Sequence, residues 1–425
     1  METTPLAPAD YVPRVVDQQM RALLRTAPAV VVEGPRACGK TWTGRMFANS
    51  MVRFDQLEAT RLALTVNPAS FLVGDTPRLL DEWHLVDGLW NAMRHACDDR
   101  GASGQFILTG SVKPVVAVTD HSGAGRVARL RIRPMSLWES GDSTGVVSLA
   151  GLLAGDICAA DPCEADLTRI GELICRGGFP RLVTMDPLDA RARLRDYLHD
   201  LSQIDLVTGD TAAHDPHKMF ALFTSLARNE ATSASLTTLA NDTASFGGPS
   251  DRDTVSRYLD RLTDAFVIEP LPAWSTHLRS TATLRSKPKR YFVDPSLATA
   301  ALRASPDGLV ADLEALGLLF ESLVIRDLRV YAGAFDADVM YYRDSKGLEA
   351  DAIITQGAGD WAAVEIKLGG TAAIEAAITS LRSLRARVDP RRAGEPSRLI
   401  VVTAVGRAFE TDDGIAVVPI THLRP

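Results

Sequence analysis

The chain has 425 residues, 46% hydrophobic and 23% charged, with a formal net charge of −7. That length exceeds one ordinary core and predicts about two to four domains, and the acidic balance argues against indiscriminate polyanion binding while leaving room for a local basic patch. No apolar run reaches the ~18–20 residues of a membrane span, residues Met1–Pro5 lack the basic-then-apolar layout of a secretion signal, and five scattered cysteines imply no disulfide framework, so a cytoplasmic protein without membrane contact is expected.

In chain order, the first element is a buried parallel strand at Ala29-Val30-Val31-Val32, followed by Gly34-Pro35-Arg36-Ala37-Cys38-Gly39-Lys40-Thr41 and a helix start running from Thr41 to Ser50. The eight residues fit G-x-x-x-x-G-K-[ST], a phosphate-binding loop whose strand-to-helix context carries more weight than the pattern itself. A helix N-terminus offers free N–H groups and positive dipole to an anion. Lys40 is placed to reach the β- and γ-phosphates of ATP, and the Thr41 hydroxyl to ligate Mg²⁺. Cys38 sits at this helix start either as an oxidant-sensitive thiol or, more simply, as tight packing.

A second strand, Arg78-Leu79-Leu80-Asp81-Glu82, ends in two acids. Asp81 is expected to hold Mg²⁺, and Glu82 to act as general base or water-positioning group. A third strand, Gln105–Ser111, ends in small polar residues, so Thr109 or Ser111 either senses the γ-phosphate or serves the turn. Beyond Ser122-Gly123-Ala124-Gly125, alternation puts Val127, Arg129, Arg131 and Arg133 on one strand face and Ala128, Leu130 and Ile132 on the other. Arg126, after its glycine-rich loop, is a candidate arginine finger into a neighbouring subunit.

The set GPRACGKT, LLDEWH, ILTGS and Arg126 through Arg133-Pro134-Met135-Ser136-Leu137-Trp138-Glu139 resembles the AAA-type ATPase domain of a large bacterial and archaeal group that joins it to a C-terminal domain of unknown function. The resemblance implies ATP hydrolysis by Lys40, Thr41, Asp81 and Glu82, and a homo-oligomeric ring using Arg126. One departure is that the group commonly reads Asp-Glu-Ile-Gln, where this chain has Asp81-Glu82-Trp83-His84.

Residues 140–162, rich in Gly, Ala, Ser and Asp, read as a linker with one short apolar segment; helices follow at Asp166–Cys175 and Pro187–Leu206 around the turn Arg176-Gly177-Gly178-Phe179-Pro180. That turn resembles the Gly-Gly-Phe-Pro element of the same group. Residues 216–300 read as a winged helix, with helices at Met219–Ala227, Ser235–Asn241 and Asp251–Ala265 and strands at Phe266–Leu271 and Arg290–Val293. The third helix has an apolar stripe at Val255, Tyr258, Leu259 and Leu262 and an exposed face expected to carry Arg252, Arg257 and Arg261. Together with a basic connection (Arg279, Arg285, Lys287, Lys289, Arg290), this face predicts DNA contact or, alternatively, a protein-contact surface.

The last region places Glu321 in an apolar helix, Glu349 and Asp351 on one face of a strand, and Glu365 and Lys367 on one face of its partner. Converging carboxylates can hold Mg²⁺, which generates a hydroxide nucleophile, and a lysine can orient it. This layout is similar to the PD-(D/E)xK nucleases. The resemblance implies a core of Asp351, Glu365 and Lys367, with Glu321 joining Asp351 and Glu365 as metal ligands; either cleavage or binding without cleavage follows from it. A helix at Ala372–Arg387 and strands at Arg398–Thr403 and Gly414–Val418 complete the sandwich. The expected architecture is α/β throughout: an AAA-type P-loop ATPase domain over 1–140, a linker and helical segment over 141–215, a winged helix over 216–304 and a restriction-endonuclease-like α/β domain over 305–425.

Overall fold

In a computed structural model, residues 6–56, 67–110, 123–203, 215–247, 251–276, 287–357 and 360–425 are described. Ser111, Ser122, Arg279 and Arg285 lie outside these residues. The chain divides into two compact units, Met1–Arg133 with Asp264–Phe266, and the rest from Pro134 onward.

The first unit is built on five parallel strands in the order β2-β3-β4-β1-β5. They are β1 (Ala29–Glu33), β2 (Ser50–Arg53), β3 (Arg78–Asp81), β4 (Phe106–Thr109) and β5 (Val127–Arg131). Strands buried on both faces read as continuous apolar runs because each parity finds its own core. Ala29, Val31, Leu80, Phe106 and Leu108 pack on α3 (Leu89–Arg100) through Leu89, Trp90, Met93 and Cys97. Val30, Val32, Leu79 and Ile107 pack in a second cluster with Met20 of α1 (Val16–Thr26) and with Cys38. Burying each such aliphatic side chain contributes roughly 1.5–3 kcal/mol. The helix after the loop, α2, spans Lys40–Phe47 rather than reaching Ser50. The chain leaves it early because Asn49 donates to the Pro77 carbonyl (2.8 Å) and Ser50 opens β2 against β3.

The second unit carries a mixed seven-stranded sheet, β7-β12-β13-β11-β10-β9-β8. Its members are β7 (Ala160–Pro162), β8 (Asp338–Arg343), β9 (Glu349–Thr355), β10 (Trp361–Lys367), β11 (Arg398–Thr403), β12 (Arg407–Glu410) and β13 (Ile415–Pro419). A further short pair joins β6 (Val147–Ser148) to β14 (Leu423–Arg424). The expectation of a linker over 140–162 is therefore corrected. Its Ser148 caps α4 (Leu149–Ala154) by accepting from Gly151 N, Ser143 Oγ donates to the Leu423 carbonyl at 2.6 Å, and β7 pairs with β12. The segments expected from the sequence as C-terminal domains fall within this one compact unit, which begins at Pro134.

Helices α5 (Leu167–Arg176) and α6 (Pro187–Gln203) flank the Gly177-Gly178 turn. After them come α7 (Pro216–Arg228), α8 (Leu236–Gly247) and α9 (Arg252–Asp264), with antiparallel bridges Ile268↔Phe292 and Leu271↔Lys289. On α9, Arg252 and Arg257 are exposed, but Arg261 is 4% exposed and does not belong to that face. Lys289 and Arg290, expected on a basic surface, are also turned inward: Lys289 is 7% exposed, and Arg290 donates to the Ala234 carbonyl at 2.5 Å.

The Gly177-Gly178 turn and the segment at 134–139 meet. Met135 N donates to the Gly178 carbonyl (2.6 Å) and Gly178 N to Asp294 Oδ2 (2.9 Å). A Cβ on Gly178 would lie 2.1 Å from the Met135 carbonyl oxygen, so only glycine permits this approach. Asp294, which caps α10 (Pro295–Leu302), also accepts from Arg326 of α11 (Leu313–Gly333) at 2.9 Å. Arg326 donates to Asp327 at 2.8 Å, and Asp327 accepts from Leu137 N at 2.9 Å. All three charged residues are at most 3% exposed. The charges are therefore compensated inside the core rather than by water.

Glu230, 2% exposed, accepts from Phe292 N (3.0 Å) and from Ser322 Oγ (2.6 Å). Burial pushes its carboxyl up to about 8, with the bonds from Ser322 and Phe292 working the other way. A raised folded-state value means the folded chain holds this proton through neutral pH. The associated stability is present below the ordinary carboxylate range and is lost as pH rises through about 8. Melting curves of wild type and Glu230→Gln should therefore separate progressively between about pH 5 and 8, the wild type losing about 2–4 °C or more relative to the variant. An offset that stays constant across that range would remove this account.

Candidate functional site

Gly39 has φ 102° and opens α2, a left-handed conformation in which glycine carries no steric cost. The loop is tight elsewhere as well, since a Cβ on Gly34 would meet the Ile132 carbonyl oxygen at 2.2 Å. Lys40 is 6% exposed and curls back into the loop, where Nζ donates to the carbonyls of Gly34 (2.9 Å) and Pro35 (2.7 Å). Its ammonium is thus held inside a ring of backbone, beside the N–H groups of the first helical turn, which have no partner within the helix. Cys38 is fully buried, with Sγ facing the Ile132 carbonyl, so packing explains it. Arg14 braces the loop from outside, donating to the carbonyls of Cys38 (3.2 Å) and Arg133 (2.8 Å).

Thr41, Asp81 and Thr109 come from three elements and meet at one atom. Asp81 Oδ1 accepts from Thr41 Oγ1 at 2.9 Å and from Thr109 Oγ1 at 2.5 Å. This follows from topology: β4 lies between β1 and β3, so the carboxyl end of β4 delivers Thr109 between the loop and the acid. The other Asp81 oxygen lies 3.6 Å from Arg53 Nε at the end of β2. Sequence reasoning does not single out Arg53; the available signal is a basic residue closing a short strand, in register with Asp81. Hard oxygen donors of this kind, a hydroxyl and a carboxylate beside a phosphate loop, fit Mg²⁺.

Glu82 turns the chain out of β3 with φ 56°, a backbone seldom adopted by residues with a Cβ. His84 Nδ1 lies 3.6 Å from Glu82 Oε2. Burial lowers the His84 pKa; Glu82 opposes this, and Arg36 and Lys40 reinforce it. At neutral pH the imidazole beside Glu82 is therefore uncharged. Arg126 stands before β5, at the sheet end opposite the loop, with Nε donating to Asp98 Oδ1 at 2.5 Å. The phosphate-loop residues of the same chain are not brought to it.

In the second unit the predicted C-terminal residues do gather. Lys367 Nζ is 2.8 Å from Glu365 Oε2 and 3.4 Å from Asp351 Oδ2. Asp351 Oδ2 also accepts from Ile366 N at 2.8 Å, and Glu365 Oε1 from Ser380 Oγ of α12 (Thr371–Arg387) at 2.9 Å. Glu321 Oε1 accepts from Tyr291 OH (2.6 Å) and from Lys289 Nζ (3.0 Å). Lys289 also reaches Glu349 at 2.8 Å and lies 3.9 Å from Asp351. Burial, then Asp351, pushes the Glu321 carboxyl up to about 7, against the pull of Lys289. Burial works against the Lys289 ammonium, but Glu321, Asp351 and Glu349 outweigh it and raise its pKa.

The expected metal set of Glu321, Asp351 and Glu365 needs correction here. The carboxylates are interleaved with two ammonium groups, and among the described residues no cluster of three or more His, Cys, Asp or Glu residues has the arrangement to hold a metal ion. These residues do not fit a divalent cation as they stand. The roles of Lys289, Tyr291 and Ser380 in this cluster escape a sequence reading because their partners are distant along the chain.

Among the described residues no helix is long and apolar enough to cross a membrane. Residues 26–140 match the family described as AAA domain. Residues 167–308 and 316–423 match two families described as domains of unknown function, DUF8612 and DUF4143. Uncharacterized proteins of Mycobacterium bovis and Mycobacterium tuberculosis are each 27% identical over 418 residues, covering 95% of this chain and 83% of theirs. The Walker-type ATPase PABY2304 of Pyrococcus abyssi aligns with a TM-score of 0.43 at 15% identity, covering 71% of this chain and 99% of that one. On the family match, residues 26–140 form an AAA-type, ATPase-like α/β domain, followed by segments that match families without an assigned function.

Proposed function

We propose that this chain is an ATP-driven switch acting on nucleic acid, with ATP bound and hydrolysed by residues 26–140 and with C-terminal segments that engage DNA without cutting it. The observation that carries the ATPase reading is the meeting of the Thr41 and Thr109 hydroxyls on one oxygen of Asp81. Thr41 and Asp81 would hold Mg²⁺, which when bound neutralises charge developing on the phosphates. Lys40 would donate its remaining N–H to a phosphate oxygen, since an ammonium has three donors and the loop uses two. Glu82 would take the proton of the attacking water, with the uncharged His84 beside it. Thr109 and Arg53 both touch Asp81, so they would report on phosphate release to β4 and β2. Arg126, remote from its own loop, would serve a neighbouring copy in a ring.

The nucleic-acid reading is supported by a helical segment followed by antiparallel bridges over 216–293, as in a winged helix, and by the exposed Arg252 and Arg257 on α9. The test has two arms. Glu82→Gln should retain ATP binding while turnover falls about 10²–10⁴-fold, the usual worth of a general base. Turnover at the wild-type rate would end the assignment of Glu82. Double-stranded DNA binding should weaken with salt, and Arg252→Ala/Arg257→Ala should lower the log–log salt slope by about 1 for each phosphate no longer neutralised. No binding, or binding indifferent to salt, would redirect the proposal to a protein target.

A further inference from the structure

The C-terminal cluster collects four carboxylates, Glu321, Glu349, Asp351 and Glu365, where a metal-dependent nuclease would keep its cation. We infer that the resident cation of this cluster is the chain's own Lys289, and that this ammonium excludes a divalent metal from the site. The inference does not rest on the ATPase reading.

Lys289 is held in place by its backbone. Its N–H donates to the Leu271 carbonyl (3.1 Å) and its carbonyl accepts from Leu271 N (2.8 Å). Two residues earlier, the Lys287 carbonyl accepts from Tyr341 OH at 2.6 Å, and two residues later Tyr291 OH donates to Glu321. The extended segment 287–291 is thus fixed on both sides of the lysine, and Nζ enters the cluster from a buried stem with 9% side-chain exposure. There it takes one oxygen of Glu321 (3.0 Å) and one of Glu349 (2.8 Å). Lys367 takes Glu365 and the second oxygen of Asp351, which the Ile366 amide also occupies.

A magnesium ion asks for about six oxygens at roughly 2.0–2.1 Å in near-octahedral array. Here the inward carboxylate oxygens already accept from ammonium, phenol, hydroxyl and amide donors. A dication placed among them would also face two positive charges at short range, the buried Lys289 ammonium and the partly exposed Lys367. A lysine tethered by a paired backbone also loses little entropy on entering the site, whereas a free ion must shed its hydration shell. The donor set of a nuclease is therefore present, but it is used to dock the 287–291 segment onto the sheet.

Removing the ammonium should uncover the site. Full-length protein without nucleotide is titrated with Mn²⁺, free metal being followed by electron paramagnetic resonance. Wild type and Asp351→Asn should give superimposable curves. Lys289→Ala should gain about one site, at least tenfold tighter than anything in wild type, and Lys289→Ala/Asp351→Asn should lose it again. Lys289→Met keeps the apolar stem and replaces the alanine variant if that one does not fold; should neither fold, the comparison of wild type with Asp351→Asn decides alone. The inference is overturned if wild type binds Mn²⁺ at a site that Asp351→Asn removes, if a folded Lys289 variant gains no site, or if wild type cuts DNA in Mn²⁺ and Asp351→Asn does not.

Discussion

Replacing Lys40 with alanine is expected to reduce ATP turnover at least ~100-fold and to weaken nucleotide binding at least tenfold, with the fold intact. A single donor aimed at developing charge is worth about 10²–10³ in rate, and here the donor carries a full charge in a buried loop. The alanine variant also loses both bonds from Nζ to the Gly34 and Pro35 carbonyls. Lys40→Arg should not rescue, since a planar guanidinium cannot occupy the position of a compact ammonium between two backbone carbonyls. Thr41→Ala should behave differently: binding survives in part, while the dependence of turnover on Mg²⁺ shifts to higher concentration. Steady-state phosphate release and a fluorescent nucleotide titration separate the two variants. Lys40→Ala retaining more than roughly a tenth of wild-type turnover would discard the assignment of the loop.

The second large effect is on stability. Arg326→Met should destabilise the second unit by about 3–5 kcal/mol, because it leaves Asp294 and Asp327 charged, buried and without their shared partner. That corresponds to a fall in melting temperature of roughly 10 °C for a unit of this size. Asp294 and Asp327 also accept from Gly178 N and Leu137 N, so the damage should spread to the turn and to the segment at 134–139. The triple variant Asp294→Asn/Arg326→Met/Asp327→Asn should recover part of the loss, since it removes the uncompensated charges while keeping amide acceptors for both N–H groups. A single variant melting within about 2 °C of wild type would mean the triad is not a structural joint.

What is readable from the sequence is what short-range pattern controls. The loop, β1, β3 and β4 are legible because the G-x-x-x-x-G-K-[ST] pattern sets glycines, a lysine and a hydroxyl at fixed spacing between an apolar strand and a helix. Glu365 and Lys367 are legible because strand alternation puts them on one face. Lys289 is not, because it reaches Glu321 from 32 residues away and Asp351 from farther still, and nothing in its neighbourhood distinguishes an inward lysine from a solvated one. Arg261 fails for a related reason. Periodicity places it beside the apolar stripe of α9, and tertiary packing widens the buried face to include it. The 140–162 stretch looks like a linker because small and polar residues dominate it; what makes it structure is pairing with β12 and β14, which no local window contains.

That pairing also constrains how the molecule is made. Ser143 and Leu423 lie 280 residues apart, so strand β6 leaves the ribosome long before its mate exists. At about 5–20 residues per second, the wait is roughly 15–60 s. Throughout it the nascent chain carries Val147, Leu149 and Leu152, all destined for burial, with β14 still unmade. The AAA-type domain can mature during synthesis, whereas the module behind it cannot close until residues 423–424 have been made, with chaperone capture as the natural competitor in the interval.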